Sequence, residues 1–142
     1  MTERRINQYV VDASVAVKWF AREDGSERAR EVLRRGEAGE VTLHAPDLLL
    51  YEVGNALARG KGVSAASVRD ALGLLRQSCI EWHALDEEII EEAALFTERY
   101  GITFYDAAYA ALADREDAVL LSANPKDHKQ IREVRVQTLS LS

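Results

Sequence analysis

One cysteine, two prolines and three histidines are all that the 142 residues hold of these types, and each shortage removes a class of protein. A lone Cys79 can form no internal disulfide, so a small secreted domain held by a disulfide framework is excluded and a reducing cytoplasm suits the chain. His44, His83 and His128 have no Cys or His partner at zinc spacing and are read as core or surface residues rather than ligands. No apolar run approaches the roughly 20 residues that span a bilayer, so no membrane contact is expected. The polar opening Met1-Thr2-Glu3-Arg4-Arg5 leads straight towards a strand-like segment, and no signal peptide is read there. There is no glycine-rich phosphate loop and no Ser-His-Asp or Cys-His set for covalent catalysis. Positive charge is short as well. With 18 basic against 24 acidic residues the net charge is −6, which argues against nonspecific clamping of a long duplex but leaves room for a local basic patch.

What remains is a globular composition, 47% apolar and 30% charged, on a chain long enough for one core. Residues 1–142 are expected to form a single domain. Tyr9 to Val11 reads as a first strand, Ala16 to Ala21 as a short helical turn, and 26–38 as a polar helix. Val41 to Ala45 reads as a strand, and Pro46 fits the first turn of a helix running to Arg59. Ser64 is placed to cap a helix whose apolar face is Val68, Ala71, Leu72 and Leu75. Ile80 to Leu85 is strand-like, and Glu87 to Tyr100 is a helix that Gly101 ends. An alanine-rich helix follows over Phe104 to Asp114, then a buried strand over Ala118 to Leu121 and an edge strand over Val134 to Leu139. Strands alternating with helices predict an α/β fold with a mainly parallel central sheet, whose ligands gather beyond the carboxyl ends of the strands.

Three carboxylates lie in stretches that are otherwise apolar. Asp12 ends Tyr9-Val10-Val11, Glu52 interrupts Leu48-Leu49-Leu50-Tyr51 and Val53, and Asp106 opens Ala107-Ala108-Tyr109-Ala110-Ala111-Leu112. A buried carboxylate without a partner costs several kcal/mol or shifts its pKa, so three in a small domain imply a shared cation. Oxygen ligands of this kind suit Mg²⁺ or Mn²⁺, and the chemistry is that of a metal-dependent phosphodiesterase. Each acid also has a purely structural reading. Asp12 can cap the helix after it, with Ser14 doing the same for the next turn. Glu52 can reach for Arg59, and Thr103-Phe-Tyr-Asp106 fits a capping box. Trp19, Phe20 and Trp82 can stack bases, but their spacing fits a core better.

Taken in order, Val-Val-Asp12-Ala-Ser14, Leu50-Tyr51-Glu52-Val-Gly-Asn55-Ala-Leu, Thr103-Phe-Tyr-Asp106-Ala-Ala-Tyr-Ala-Ala-Leu-Ala113 and Leu120-Leu121-Ser122-Ala-Asn124 resemble the PIN domain, and within it the VapC-type toxins of toxin–antitoxin pairs. The resemblance runs over nearly the whole chain. It implies a PIN-like, Rossmann-like three-layer α/β/α fold, a homodimer or larger assembly, Mg²⁺ or Mn²⁺, endonucleolytic cleavage of RNA, and a small antitoxin protein as partner. It makes Asp12, Glu52 and Asp106 the metal-binding catalytic acids, with Ser14, Asn55 and Thr103 supporting them. One departure stands out. The family usually carries a fourth acid where this chain has Asn124, and Asp127 three residues on is the alternative. A PIN-like binding module that has lost activity at that position is the rival reading. Lys18, Arg22, Arg59 and Lys61 are the candidates for steering RNA, each weighed against ordinary surface charge.

Overall fold

A computed structural model describes residues 7–124 and 131–139. Five strands are seen among them, β1 (Gln8–Val11), β2 (Thr42–Pro46), β3 (Glu81–His83), β4 (Val119–Ser122) and β5 (Val136–Thr138), in the order β3-β2-β1-β4-β5. Every pairing is parallel: Val10 lies opposite His44 and Leu120, His44 opposite Glu81, and Leu120 opposite Val136. The helices are α1 (Ala13–Ala16), continued by a 3₁₀ turn (Val17–Trp19), α2 (Ser26–Glu37), α3 (Leu48–Ala58), α4 (Ala65–Arg76), α5 (Glu87–Tyr100) and α6 (Phe104–Arg115). No helix among the described residues is long and apolar enough to cross a membrane.

The order of the strands decides where a site can form. From β1 the chain steps through β2 to β3 on one side, then returns over α5 and α6 to β4 on the other side of β1. Right-handed crossovers stepping in opposite directions put their helices on opposite faces, which gives the expected α/β/α layering. The winding reverses between β1 and β4, and a cleft opens at such a point beyond the strand ends. Asp12 is the residue that follows β1 there, and its amide still bonds Leu121 of β4 at 3.3 Å.

The core explains why α6 is so rich in alanine. Its residues Ala107 to Ala113 are all buried, and the helix packs on β1, β2, β4 and α5. Small side chains allow that close approach, while Tyr109 is the one large ring in the run. Val10, Val11, Leu43, Leu120 and Leu121 supply the sheet's share of the core. Trp19 and Trp82 belong to the packing, as their indole nitrogens donate to Ala29 O at 2.7 Å and Arg76 O at 3.2 Å.

Three boundaries differ from the sequence reading. The first helix begins at Ala13, directly after Asp12, rather than at Ala16, because the Asp12 side chain caps it. Pro46 ends β2 opposite His83 instead of starting α3, and the Asp47 amide carries the next ladder bond to His83 O at 3.0 Å. A proline is tolerated at a strand end, where it need not donate. The strands β3 and β5 are shorter than the apolar patterns around them, with β5 at the sheet edge as expected. Gly101 does take the left-handed conformation, φ 65°, at the end of α5.

Between α5 and α6, Glu92 shares a hydrogen bond with Asp114, and its Oε1 is buried with no hydrogen-bond partner. Burial first, then the bond and charge of Asp114, push the Glu92 carboxyl up to about 7. A carboxyl whose pKa rises on folding stabilises the fold when protonated and loses that contribution as pH climbs through its folded value. Glu92→Gln keeps a donor for Asp114 and removes the ionisation. Thermal melts are expected to show it more stable than the parent at pH 8 and nearly equal at pH 4.5. An equal loss at both pH values would contradict this account.

Candidate metal centre

Asp12 is 7% exposed and caps α1, the structural role that its sequence position allowed. Its Oδ1 accepts the Val15 amide at 3.3 Å, capping α1, and also the Ser14 hydroxyl at 2.5 Å. Ser14 is in turn the joint between two strand ends. Its Oγ accepts the Ala123 amide at 2.8 Å and lies 3.3 Å from Ser122 Oγ, which accepts the Asn124 amide at 3.0 Å. Ser122 is fully buried. Its role at the end of β4 went unread in the sequence, where a serine between a buried strand and a loop carries no signal of its own.

Glu52 comes from the second turn of α3 and Asp106 from the first turn of α6; both are half-buried. Thr103 is the N-cap of α6 and accepts the Asp106 amide at 3.1 Å. That bond uses the backbone of Asp106, so the cap does not compete with a role for the carboxylate. Asn55 is exposed one turn beyond Glu52, at the rim, and Asn124 is exposed after β4. Asp127 and His128 lie outside the described residues.

Tyr109 brings the three acids into one account. Its hydroxyl donates to Glu52 Oε1 at 2.6 Å across the gap between α6 and α3, and the ring is 2% exposed. The phenol is pushed far above its ordinary pKa by burial, then by the charge and hydrogen bond of Glu52, then by Asp12 and Asp106. Glu52 is thus bonded to this hydroxyl, while Asp12 and Asp106 act on it only through their charge. Sequence reasoning passed over Tyr109 as a core aromatic, since nothing at its position announces a partner 57 residues away. A pocket of carboxylate and hydroxyl oxygens fits a hard divalent cation and lacks the nitrogen or sulfur that a softer one prefers.

The histidines meet where the sequence kept them apart. His44 Nδ1 lies 2.9 Å from His83 Nε2 and 3.9 Å from Glu81 Oε1, a grouping that could hold a metal ion on geometry alone. The protons favour another arrangement. An Arg115 nitrogen stands 3.2 Å from His83 Nδ1, and a guanidinium can only donate, so that nitrogen accepts. His83 then carries its proton on Nε2 and gives it to His44 Nδ1, while His44 Nε2 donates to Gln8 Oε1 at 2.6 Å. Each ring nitrogen has a complementary partner, and a metal would have to displace a proton beside a fixed cation. Burial, then His83, lowers the His44 pKa, with Glu116 and Glu81 opposing and Arg115 adding to the fall. His44 is buried and His83 partly exposed beside it.

Of the basic residues considered for steering, Lys18 is withdrawn. It is 8% exposed, and its Nζ donates to Glu23 at 2.9 Å and to Asp24 O at 2.7 Å. It tethers the loop before α2. Arg22, Arg59 and Lys61 remain at the surface or near it.

Comparison with known proteins follows this geometry closely. The PIN domain family model matches residues 9–134. Ribonuclease VapC3 of Pyrobaculum aerophilum is 31% identical over 117 residues, covering 80% of this chain and 86% of that protein. Ribonuclease VapC1 of Mycobacterium tuberculosis is 32% identical over 124 residues, covering 85% and 89%. Among solved structures, VapBC2 from Rickettsia felis bound to a DNA fragment of its promoter superposes with a TM-score of 0.72 over 94% of this chain and 99% of that one, at 18% identity.

The Ser14 joint yields a test that needs no metal. Ser14→Ala leaves the Ala123 amide without its partner and removes one of the donors to Asp12 Oδ1, and an unpaired group in such a place costs about 1–3 kcal/mol. Urea denaturation of the metal-free protein is expected to show a loss of that size. A variant as stable as the parent would mean that the serine does not hold the two strand ends together.

Proposed function

The chain belongs to the PIN domain family, and from that premise we propose that it is a metal-dependent endoribonuclease, the toxin of a toxin–antitoxin pair. The observation that supports the proposal is the bond from the buried Tyr109 hydroxyl of α6 to Glu52 of α3, with Asp12 after β1 where the sheet reverses its winding and Asp106 one turn back on α6. Two curated relatives named as ribonucleases, each matched over most of its length, support the same reading. In this reading the three acids hold Mg²⁺ or Mn²⁺. A bound divalent ion lowers the pKa of a water and offsets charge on a phosphodiester's oxygens.

The chain's own residues supply the rest. Ser14 and the Val15 amide fix one oxygen of Asp12. Thr103 fixes the start of α6 and with it Asp106. Water as nucleophile leaves a 5′-phosphate and a 3′-hydroxyl. Asn55 at the rim, with Arg59 and Lys61 beyond it on the same segment, are the groups placed to meet an RNA strand. Asn124 offers an amide oxygen in place of a fourth acid, and Asp127 is the alternative.

The partners follow from exposed apolar surface. Leu48, Leu85, Phe104 and Tyr105 line a cavity of about 290 Å³ beside α3 and α6, and we assign that face to a second copy of the chain. A small antitoxin completes the pair, its basic side chain filling the acid pocket in place of the cation. The cytoplasm, where the single exposed thiol of Cys79 stays reduced, is the working compartment. All 142 residues act as one domain.

Asp12→Asn, Glu52→Gln and Asp106→Asn are each expected to remove Mn²⁺-dependent RNA cleavage by more than the roughly 100-fold that changes outside the ligand set cost. Metal-free melting temperatures should stay equal or rise, because one of three mutually repelling charges is gone. Cleavage that survives in the folded Asp106→Asn protein would reduce that residue to part of a cap. Cleavage that survives in all three would end the proposal.

A further inference from the structure

Asp12 and Asp106 have short side chains on backbone that is itself fixed, one by the α1 cap and one by the α6 cap. Glu52 is different. It is the longest of the three acids, it leaves the middle of a helix, and its carboxylate must be held by something beyond its own backbone. The Tyr109 hydroxyl does this at 2.6 Å. Tyr109 stands three residues after Asp106 on α6, one turn along the same side of the helix. Its ring is fixed among the buried alanines of α6, so the hydroxyl has little freedom.

We infer that Tyr109 is a positioning residue for the metal site: it binds one oxygen of Glu52, turns the other towards the cation, and sets the spacing between the acids of α3 and α6. The inference rests on the functional reading above and adds to it a residue that touches neither cation nor RNA. A phenol suits the task better than a base would. It is a neutral donor, so it restrains a carboxylate without cancelling the charge that the cation needs. It also sits among three carboxylates as a hydrogen-bond donor and not as a fourth negative ligand. A tyrosine used only as filler would need its hydroxyl satisfied, but by any acceptor; this one is satisfied by the acid whose side chain most needs support.

Tyr109→Phe removes the hydroxyl and keeps the ring. Mn²⁺ affinity measured by calorimetry on the RNA-free protein is expected to weaken about 10–100-fold, the usual cost of losing a group that orients a ligand. The Mn²⁺ concentration for half-maximal cleavage should rise by a similar factor, while the rate at saturating Mn²⁺ returns close to the parent's. A merely structural role predicts the opposite pattern, unchanged affinity with a rate lowered at every Mn²⁺ concentration, and that result would overturn the inference. Tyr109→Met serves if the phenylalanine protein folds poorly, and the same split is expected of it. In the Glu52→Gln background, Tyr109→Phe should weaken Mn²⁺ binding by no more than about two-fold; a full second loss there would show that the hydroxyl acts elsewhere. A parent protein that binds Mn²⁺ normally beside an unaffected Tyr109→Phe defeats this inference alone. A parent that binds no Mn²⁺ defeats the functional reading as well.

Discussion

The buried Tyr109 hydroxyl donates to Glu52 and feels the charges of Asp12 and Asp106 as well, so like charges from β1, α3 and α6 oppose one another here. Their repulsion is a cost that folding must offset. The means are visible at each acid. Asp12 is held by the Val15 amide and the Ser14 hydroxyl, Asp106 by the Thr103 cap beneath it, and Glu52 by Tyr109. Around these bonds lie the fixed parts of the structure: the ends of β1 and β4 joined through Ser14 and Ser122, and α6 buried along its whole middle.

The same constraint separates the acid pocket from the histidine pair. The histidine group brings three potential ligands together, while the acids are linked through Tyr109, and the two differ in what satisfies them. At His44 and His83 a chain of donors and acceptors from Arg115 to Gln8 already accounts for every ring nitrogen, so the pair stabilises the β2–β3 side of the sheet by itself. The acids carry like charge, and the donors that reach them include Ser14 and the Val15 amide at Asp12 and Tyr109 at Glu52. Geometry alone would put the histidine group first, since it alone among the described residues sets three potential ligand atoms within 4.8 Å of one another. Proton inventory and charge reverse that order.

The sequence exposed most of this and hid the part that depends on long-range contact. Asp12, Glu52 and Asp106 could be singled out because each breaks an apolar pattern, and the alternation of strands and helices was enough to place a ligand cleft at the sheet's carboxyl edge. The cap of Thr103 and the left-handed Gly101 were legible from local chemistry. Pro46 misled, because a proline at a strand end and one in a helix's first turn look alike until the register with β3 is known. Tyr109 and Ser122 could not be found, since a buried tyrosine and a buried serine gain their meaning from partners on other elements. Lys18 looked like surface charge because nothing in its neighbours revealed the turn that brings Glu23 and Asp24 back to it.

A crystal grown without metal and then soaked in Mn²⁺, with data collected at the manganese edge, tests the central claim most directly. The account predicts an anomalous peak bounded by the carboxylates of Asp12, Glu52 and Asp106, with Tyr109 still on Glu52 and no peak at His44 and His83. A peak at the histidine pair with none among the acids would contradict it, as would a pocket in which the three carboxylates bind no metal at all.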